Sequence, residues 1–368
     1  MASASPSKWQ PGQLLFVGFE GTTLPPDLAQ LLAQGRVGGV ILFTRNFARV
    51  GQTKDGGPGP QDPAAARTLI RSIHAAAPDD VPVMIAVDQE GGRVQRLRNP
   101  WTEWPPMRRL GELADDDTTR QVAAAMAIEL RDLGIGIDFA PVVDVDTNPD
   151  NPVIGDRSFA RTPEEVSRHA TIVIEALHEH GVAACAKHFP GHGDTISDSH
   201  HELPRLPHDL DRLREVELPP FRAAAQAGIG SMMTAHVVFE AIDAKRPGTL
   251  SPEVIAVLRE ELGYDGLLFS DDLEMKAVAD HYTPREIIEG LLVADVDSPL
   301  VCKTTSLRDE VLSVLERQPD SRIEKAIGRM VAFKDRFARG PAQIALGNGD
   351  AGPPYEEHRA LAARLATL

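Results

Sequence analysis

The sequence predicts an α/β protein of the (β/α)8, TIM-type barrel class, folded as one domain, and three observations carry that expectation. Eight short apolar runs rich in Val, Ile, Leu and Phe punctuate the chain. They are too continuously apolar to face water on one side, so they read as parallel strands buried on both faces. Longer helical stretches separate them, giving the repeated strand–helix rhythm of a barrel. A doubly wound open sheet is the alternative, but no Gly-rich phosphate turn follows the first run.

In chain order the runs are LLFVGFEG (14–21), GGVILFT (38–44), PVMIAVDQ (82–89), GIDFAPVVDV (136–145), VAACAKHF (182–189), SMMTAHVVF (231–239), GLLFSDD (266–272) and SPLVC (298–302). The helical stretches carry start and stop signals. PPDLAQLLAQG opens on Pro and stops at Gly. TPEEVSRHATIVIEALHEHG (162–181) begins with a Thr cap and two acids and ends at Gly181. SPEVIAVLREELG (251–263) has the same form. The segment 50–65, VGQTKDGGPGPQDPAA, breaks the rhythm and reads as a mobile surface insertion between strand two and its helix. The expected core spans about 12–340 of a single 1–368 domain, and the tail 341–368 reads as a turn and a terminal helix.

Composition narrows the function classes. A chain of 368 residues can bury a sizeable core. The formal net charge of -16 argues against nucleic acid or an anionic membrane surface as partner. Cys185 and Cys302 both sit in apolar runs and read as buried, reduced thiols. The N-terminal residues lack an apolar signal-peptide core, and no run reaches membrane-spanning length. A cytoplasmic monomer is the expectation.

Barrel enzymes collect reactive groups at the carboxyl ends of their strands. Here strand three ends in Asp88, with Gln89, Glu90, Gly91 and Gly92 after it. Strand four ends near Asp144 and Asp146, and strand five in Lys187 and His188. Strand six carries His236, and strand seven ends in Ser270, Asp271 and Asp272. Five strands thus deliver titratable groups to one face. The densest segment is KHFPGHGDTISDSHHELP (187–204), whose Gly and Pro content makes it a long loop over the barrel mouth. Its residues allow a metal site, a structural loop, or an acid/base dyad in which Asp198 orients His200. His192 and Asp194 read as residues that shape the loop.

The motifs KHFPGHGDT followed by DSH, and FSDDLEM (269–275), resemble glycoside hydrolase family 3, in its single-domain β-N-acetylhexosaminidase branch of the NagZ type. GGVILFTRNF (38–47), VDQEGGRVQRL (87–97), FAPVVDV (139–145), VIGDRSF (153–159) and TAHVVF (234–239) fit the same pattern in order, so the resemblance covers roughly residues 12–280. It implies Asp271 as nucleophile, with Asp272 as its rival, and His200 as acid/base with Asp198 as partner. Asp88, Arg96, Arg157, Lys187 and His188 match sugar-contacting positions. The implied reaction is removal of terminal β-linked GlcNAc with retention, through a glycosyl-aspartate, from cytoplasmic muropeptides in cell-wall recycling. It needs no metal or organic cofactor.

These residue types suit that chemistry. Retention needs one carboxylate that attacks and one group that protonates and later deprotonates. Imidazole, with a reference pKa of about 6.5, serves as both near neutrality. Asp88 can accept hydroxyl hydrogen bonds, whereas Arg96, Arg157 and Lys187 can only donate. Phosphorolysis, a catalytically silent sugar-binding barrel and a metal-dependent hydrolase are the competing readings. Two departures stand out: Asp295 lies where the family usually has Gly, and Ser298-Pro299 interrupt the last apolar run. A shortened or distorted eighth strand is expected there.

Overall fold

All eight runs form strands, and the strands close into one parallel barrel. The computed structural model describes residues 9–53, 55, 57–199, 202–347 and 352–367. The barrel strands are β1 (Phe16–Val17), β2 (Gly39–Ile41), β3 (Met84–Val87) and β4 (Ile137–Asp138), then β5 (Ala183–Phe189), β6 (Ser231–Thr234), β7 (Leu267–Asp272) and β8 (Ser298–Val301). Each pairs with its sequence neighbours, and β8 closes the ring on β1 through Phe16↔Leu300 and Val17↔Val301.

Strand side chains alternate between two cores, which is why the runs are apolar throughout. Phe16, Ile41, Ala86, Cys185 and Phe269 fill the interior, while Val17, Val40, Ile85, Ala184 and Leu268 face the helices. The interior is crowded with aromatic rings. Phe269 meets Phe16 at 4.9 Å and Phe139 at 5.2 Å between ring centroids, both edge-on. Position 39 must be glycine, because a Cβ there would lie 2.1 Å from the Phe16 ring. Helix Asp320–Phe337 plugs the lower end with Met330 and Phe333, and its buried Lys334 donates to Gln13 Oε1 at 2.6 Å.

The connecting helices follow their sequence signals. Pro26–Ala33 and Pro163–Glu179 both start on proline, and Glu164 and Glu165 occupy the first turn of the second, but Thr162 does not cap that helix as expected and its hydroxyl donates to Glu165 at 2.7 Å instead. Ser251 caps Pro252–Ala256 by accepting from Val254 N–H. The 50–65 insertion folds back on itself, with Val50 N–H on Pro60 O at 2.8 Å and a bridge between Gln52 and Pro58. Its far end does more than close a loop. Gln61 is buried, accepts from Arg98 N–H at 2.7 Å and donates to Arg96 O at 2.9 Å. The tail carries the expected helix, Glu356–Thr367, and His358 ties it to Glu129 at 2.8 Å. No helix of the described residues is long and apolar enough to cross a membrane.

The eighth strand is not shortened as expected: its four residues equal β3 and β6 and exceed β1, β2 and β4, but its pairing with β7 shifts register between Phe269 and Asp272. Side chains replace part of the ladder beside Pro299. Ser270 Oγ accepts from Leu300 N–H at 3.1 Å, and Asp272 Oδ1 accepts from Cys302 N–H at 3.3 Å. Asp295 sits at φ 63, the left-handed conformation that explains a preference for glycine there. Its carboxylate binds Arg329 at 2.9 Å and Lys325 at 2.8 Å. Below it, buried Asp297 holds both Arg259 and Arg329 at 2.8 Å.

These two aspartates should respond differently to substitution. Asp297→Ala leaves two buried guanidinium groups short of an anion and is expected to cost about 3–5 kcal/mol in urea unfolding. Asp295→Gly exchanges a part-exposed ion pair (side chain 33% exposed) for a relaxed backbone. Its expected change is within about 1 kcal/mol.

Candidate active site

The interior phase of the strands, continued upward, builds the site. On five strands an interior residue is followed two positions later by a residue of the cavity. Ile41 leads to Phe43, Ala86 to Asp88, Cys185 to Lys187, Phe269 to Asp271 and Leu300 to Cys302. The cavity they line holds about 180 Å³. Glu90, Arg96, Arg157, His188, His192, Ser199 and Asp272 complete its polar wall.

Lys187 is the centre of the charge network. Its buried ammonium lies 2.8 Å from Asp88 Oδ1 and 2.6 Å from Glu90 Oε1. Arg96 holds the other Asp88 oxygen at 2.7 Å, and Arg157 grips Glu90 with two bonds of 2.8 and 2.9 Å. Glu90 reaches this position from the ribbon Gln89–Gly91, which turns back through Gly91 at φ 89 and Gly92 at φ 57. Burial alone would neutralise the two acids. The cations outweigh it, so Asp88 is held well below the usual carboxylate range and Glu90 at about 2. Burial likewise pushes Lys187 down, but Asp88 and Glu90 more than reverse this and keep it charged.

A second network orients the imidazoles. Asp144 Oδ2 accepts from His188 Nδ1 at 2.8 Å, and its Oδ1 accepts from His192 N–H at 2.7 Å. The peptide joining Lys187 to His188 is cis. His236 spans Thr249 Oγ1 at 2.8 Å and the Asp272 carbonyl at 3.1 Å.

The two strand-seven aspartates differ in environment. Burial would raise Asp271, yet the His188 and His236 imidazoles, the Asp272 N–H and Lys187 bring it below the ordinary value. The Asp272 N–H donates to Asp271 Oδ1 at 2.8 Å. Asp272 is raised to about 7, chiefly by burial, with Glu274 and Asp271 adding repulsion. Its Oδ1 is already engaged with the Glu274 and Cys302 N–H groups.

The structure therefore gathers Asp88, Arg96, Arg157, Lys187, His188 and Asp271 around one cavity. It also changes what some of them do in the resting protein. Both Asp88 oxygens are held by cations, and Arg157 is spent on Glu90 and on the Val153 carbonyl. Glu90 was missed as a site residue in the sequence, where it read only as part of the segment after strand three. Asp194 shapes the loop as expected, accepting from Thr147 Oγ1 at 2.9 Å and pairing with His208 at 2.8 Å. Asp198 is partly buried on the same loop. His200 and His201 lie outside the described residues. Among the described residues no three His, Cys, Asp or Glu side chains are grouped to hold a metal. Both cysteines are free and buried, and burial raises Cys185 to about 12.

The profile of the glycosyl hydrolase family 3 N terminal domain matches residues 10–333. The chain belongs to glycosyl hydrolase family 3. A beta-hexosaminidase of Thiobacillus denitrificans is 39% identical over 308 residues, 82% of this chain and 81% of that protein. A family 3 beta-N-acetylglucosaminidase from Paenibacillus sp. superposes with a TM-score of 0.88 at 37% identity, covering 99% of this chain and 68% of that one. NagZ from Neisseria gonorrhoeae, solved with N-trifluoroacetyl-D-glucosamine, gives a TM-score of 0.80 at 31% identity over 96% of this chain and 98% of its own. Family membership makes this barrel a glycoside hydrolase, as the KHFPGHGDT and FSDDLEM motifs implied.

Glu90 offers a direct test of the network. Its folded-state value near 2 lies below the ordinary 4.5, so its ionised form stabilises the fold fully above pH 4.5, and this is lost as pH falls towards 2. Glu90→Gln is expected to cost about 3 kcal/mol at neutral pH. Its deficit against the parent protein should shrink between pH 4.5 and 2, read from urea unfolding at each pH.

Proposed function

We propose that the protein is a retaining exo-β-N-acetylglucosaminidase with Asp271 as nucleophile. The observation that carries this is an ionised, partly buried carboxylate at the end of β7 facing a sugar-sized cavity with hydrogen-bonding walls. Asp271 attacks the anomeric carbon, and the departing oxygen takes a proton from His200. The glycosyl-aspartate that results is then opened by water, with His200 taking the proton back. Asp198 is the partner that orients His200. The family relationship and the DSH motif support this dyad.

Asp88, Arg96, Arg157, Lys187 and His188 bind the pyranose hydroxyls and acetamide. Ion pairing does not exhaust them, since a carboxylate has further lone pairs and Lys187 has a third proton. The His188 and His236 imidazoles and Lys187 lower Asp271 against its desolvation, which keeps it an anion able to attack.

The relatives named beta-hexosaminidase and NagZ point to terminal β-linked GlcNAc as the sugar. A cytoplasmic muropeptide, GlcNAc on 1,6-anhydro-MurNAc, is the proposed substrate. Product analysis of a β-GlcNAc glycoside with and without phosphate tests the reaction. Free GlcNAc in both supports hydrolysis, and a sugar 1-phosphate overturns it. Asp271→Ala is expected to lose about four to six orders of magnitude in kcat. Asp272→Asn keeps an acceptor for the Glu274 and Cys302 N–H groups and is expected to stay within about tenfold of the parent. A fluorinated GlcNAc inhibitor should label Asp271, and a label on Asp272 would reverse the assignment.

A further inference from the structure

His192 belongs to the cavity wall, yet the proposed reaction gives it no task. It stands at the start of the long loop and makes polar contacts on every side. Its N–H is fixed on Asp144, and its carbonyl accepts from Asn151 Nδ2 at 2.9 Å. Its Nδ1 meets Thr195 Oγ1 at 2.8 Å, and its Nε2 meets Ser199 Oγ at 3.0 Å.

Ser199 is an unusual residue for a surface loop. Ile196, three positions earlier, is 84% exposed, whereas Ser199 is only 2% exposed. Its side chain is held by His192, and its carbonyl accepts from Ala277 N–H at 3.3 Å. Ala277 lies on helix Lys276–Ala279, just after β7. One serine thus links the loop after β5 to the segment after β7. It is also the middle residue of Asp198-Ser199-His200.

We propose that His192 and Ser199 form a latch that fixes the chain beside Asp198 against the segment after β7, and that the proton transfer assigned to His200 depends on it. His192 is therefore a positioning residue that acts on the proton-transfer group through Ser199. This inference rests on the assignment of His200 as acid/base. Burial, with the neighbouring His188, lowers His192 to about 4 although Asp144 and Asp271 oppose this, so it serves as a neutral hydrogen-bonding group near neutrality.

Leaving-group dependence separates positioning of the acid from general damage to the site. A phenyl β-GlcNAc glycoside needs a proton on its departing oxygen, and a 2,4-dinitrophenyl glycoside does not. The value to compare is kcat/KM, which reports the first bond-breaking step. For Ser199→Ala it is expected to fall about tenfold with the phenyl substrate and by less than about twofold with the dinitrophenyl substrate. His192→Ala should show the same split, and the double variant should lose no more than the worse single one. Equal losses on both substrates, no loss on either, or additive losses in the double variant overturn the latch. If His192→Ala does not fold, Ser199→Ala decides alone, since it removes one oxygen. His200→Ala on the same substrate pair tests the assignment beneath. Without a split there, the acid/base reading falls and the latch with it. A split there, without one in Ser199→Ala, overturns only the latch.

Discussion

The ammonium of Lys187, buried between Asp88 and Glu90, is the interaction on which the upper half of the barrel depends. A closed parallel barrel must fill its interior, and below this level it does so with Phe16, Phe139 and Phe269. An apolar layer at the top would leave nothing to recognise a sugar. A lone charge there would be driven neutral by desolvation. The chain resolves this with a compact set in which Arg96 and Arg157 take the outer faces of the two acids. Remove one member and the others are left buried without compensation, so the network is rigid for the same reason that it is charged.

Much of this was legible as period. The apolar runs alternate between interior and outer core, and the cavity residues simply continue the interior phase two positions on. Leu267 and Phe269 share one phase, and Leu268 and Ser270 the other. The register shift between Phe269 and Asp272 interrupts that alternation, and both Asp271 and Asp272 line the cavity, so period alone does not choose between them. Asp272 also reaches β8, where it and Ser270 supply acceptors beside Pro299. The disturbance expected from Ser298-Pro299 is local: the strand keeps a full four residues, and only its register with β7 shifts, with the barrel still closed.

What the sequence hid were contacts between distant segments. Glu90 is two residues from Asp88, but its meaning comes from Arg157, 67 positions away, and from Lys187. Gln61 looked like the edge of a mobile insertion, and only the fold shows it fastened to the backbone of Arg96 and Arg98. Asp295 is similar. Its left-handed conformation follows from the chain path, but its tolerance there depends on Arg329, on a helix 34 residues later. Local propensity can mark such positions as odd without naming the partner that makes them work.

The site therefore divides into a wall and a loop with different physical demands. Wall residues must keep one charge state, and strong pairing away from bulk water does that for Asp88, Glu90 and Lys187. A group that both gives and takes a proton must not be fixed in that way, because tight ion pairing would move its pKa far from the working pH. In the proposed reaction that group is His200, and the contact between a serine hydroxyl and an uncharged imidazole would hold the chain before it without a further ion pair. The neutral contacts between His192 and Ser199 place the chain without adding charge beside Asp271. Position and proton affinity can then be set by different residues.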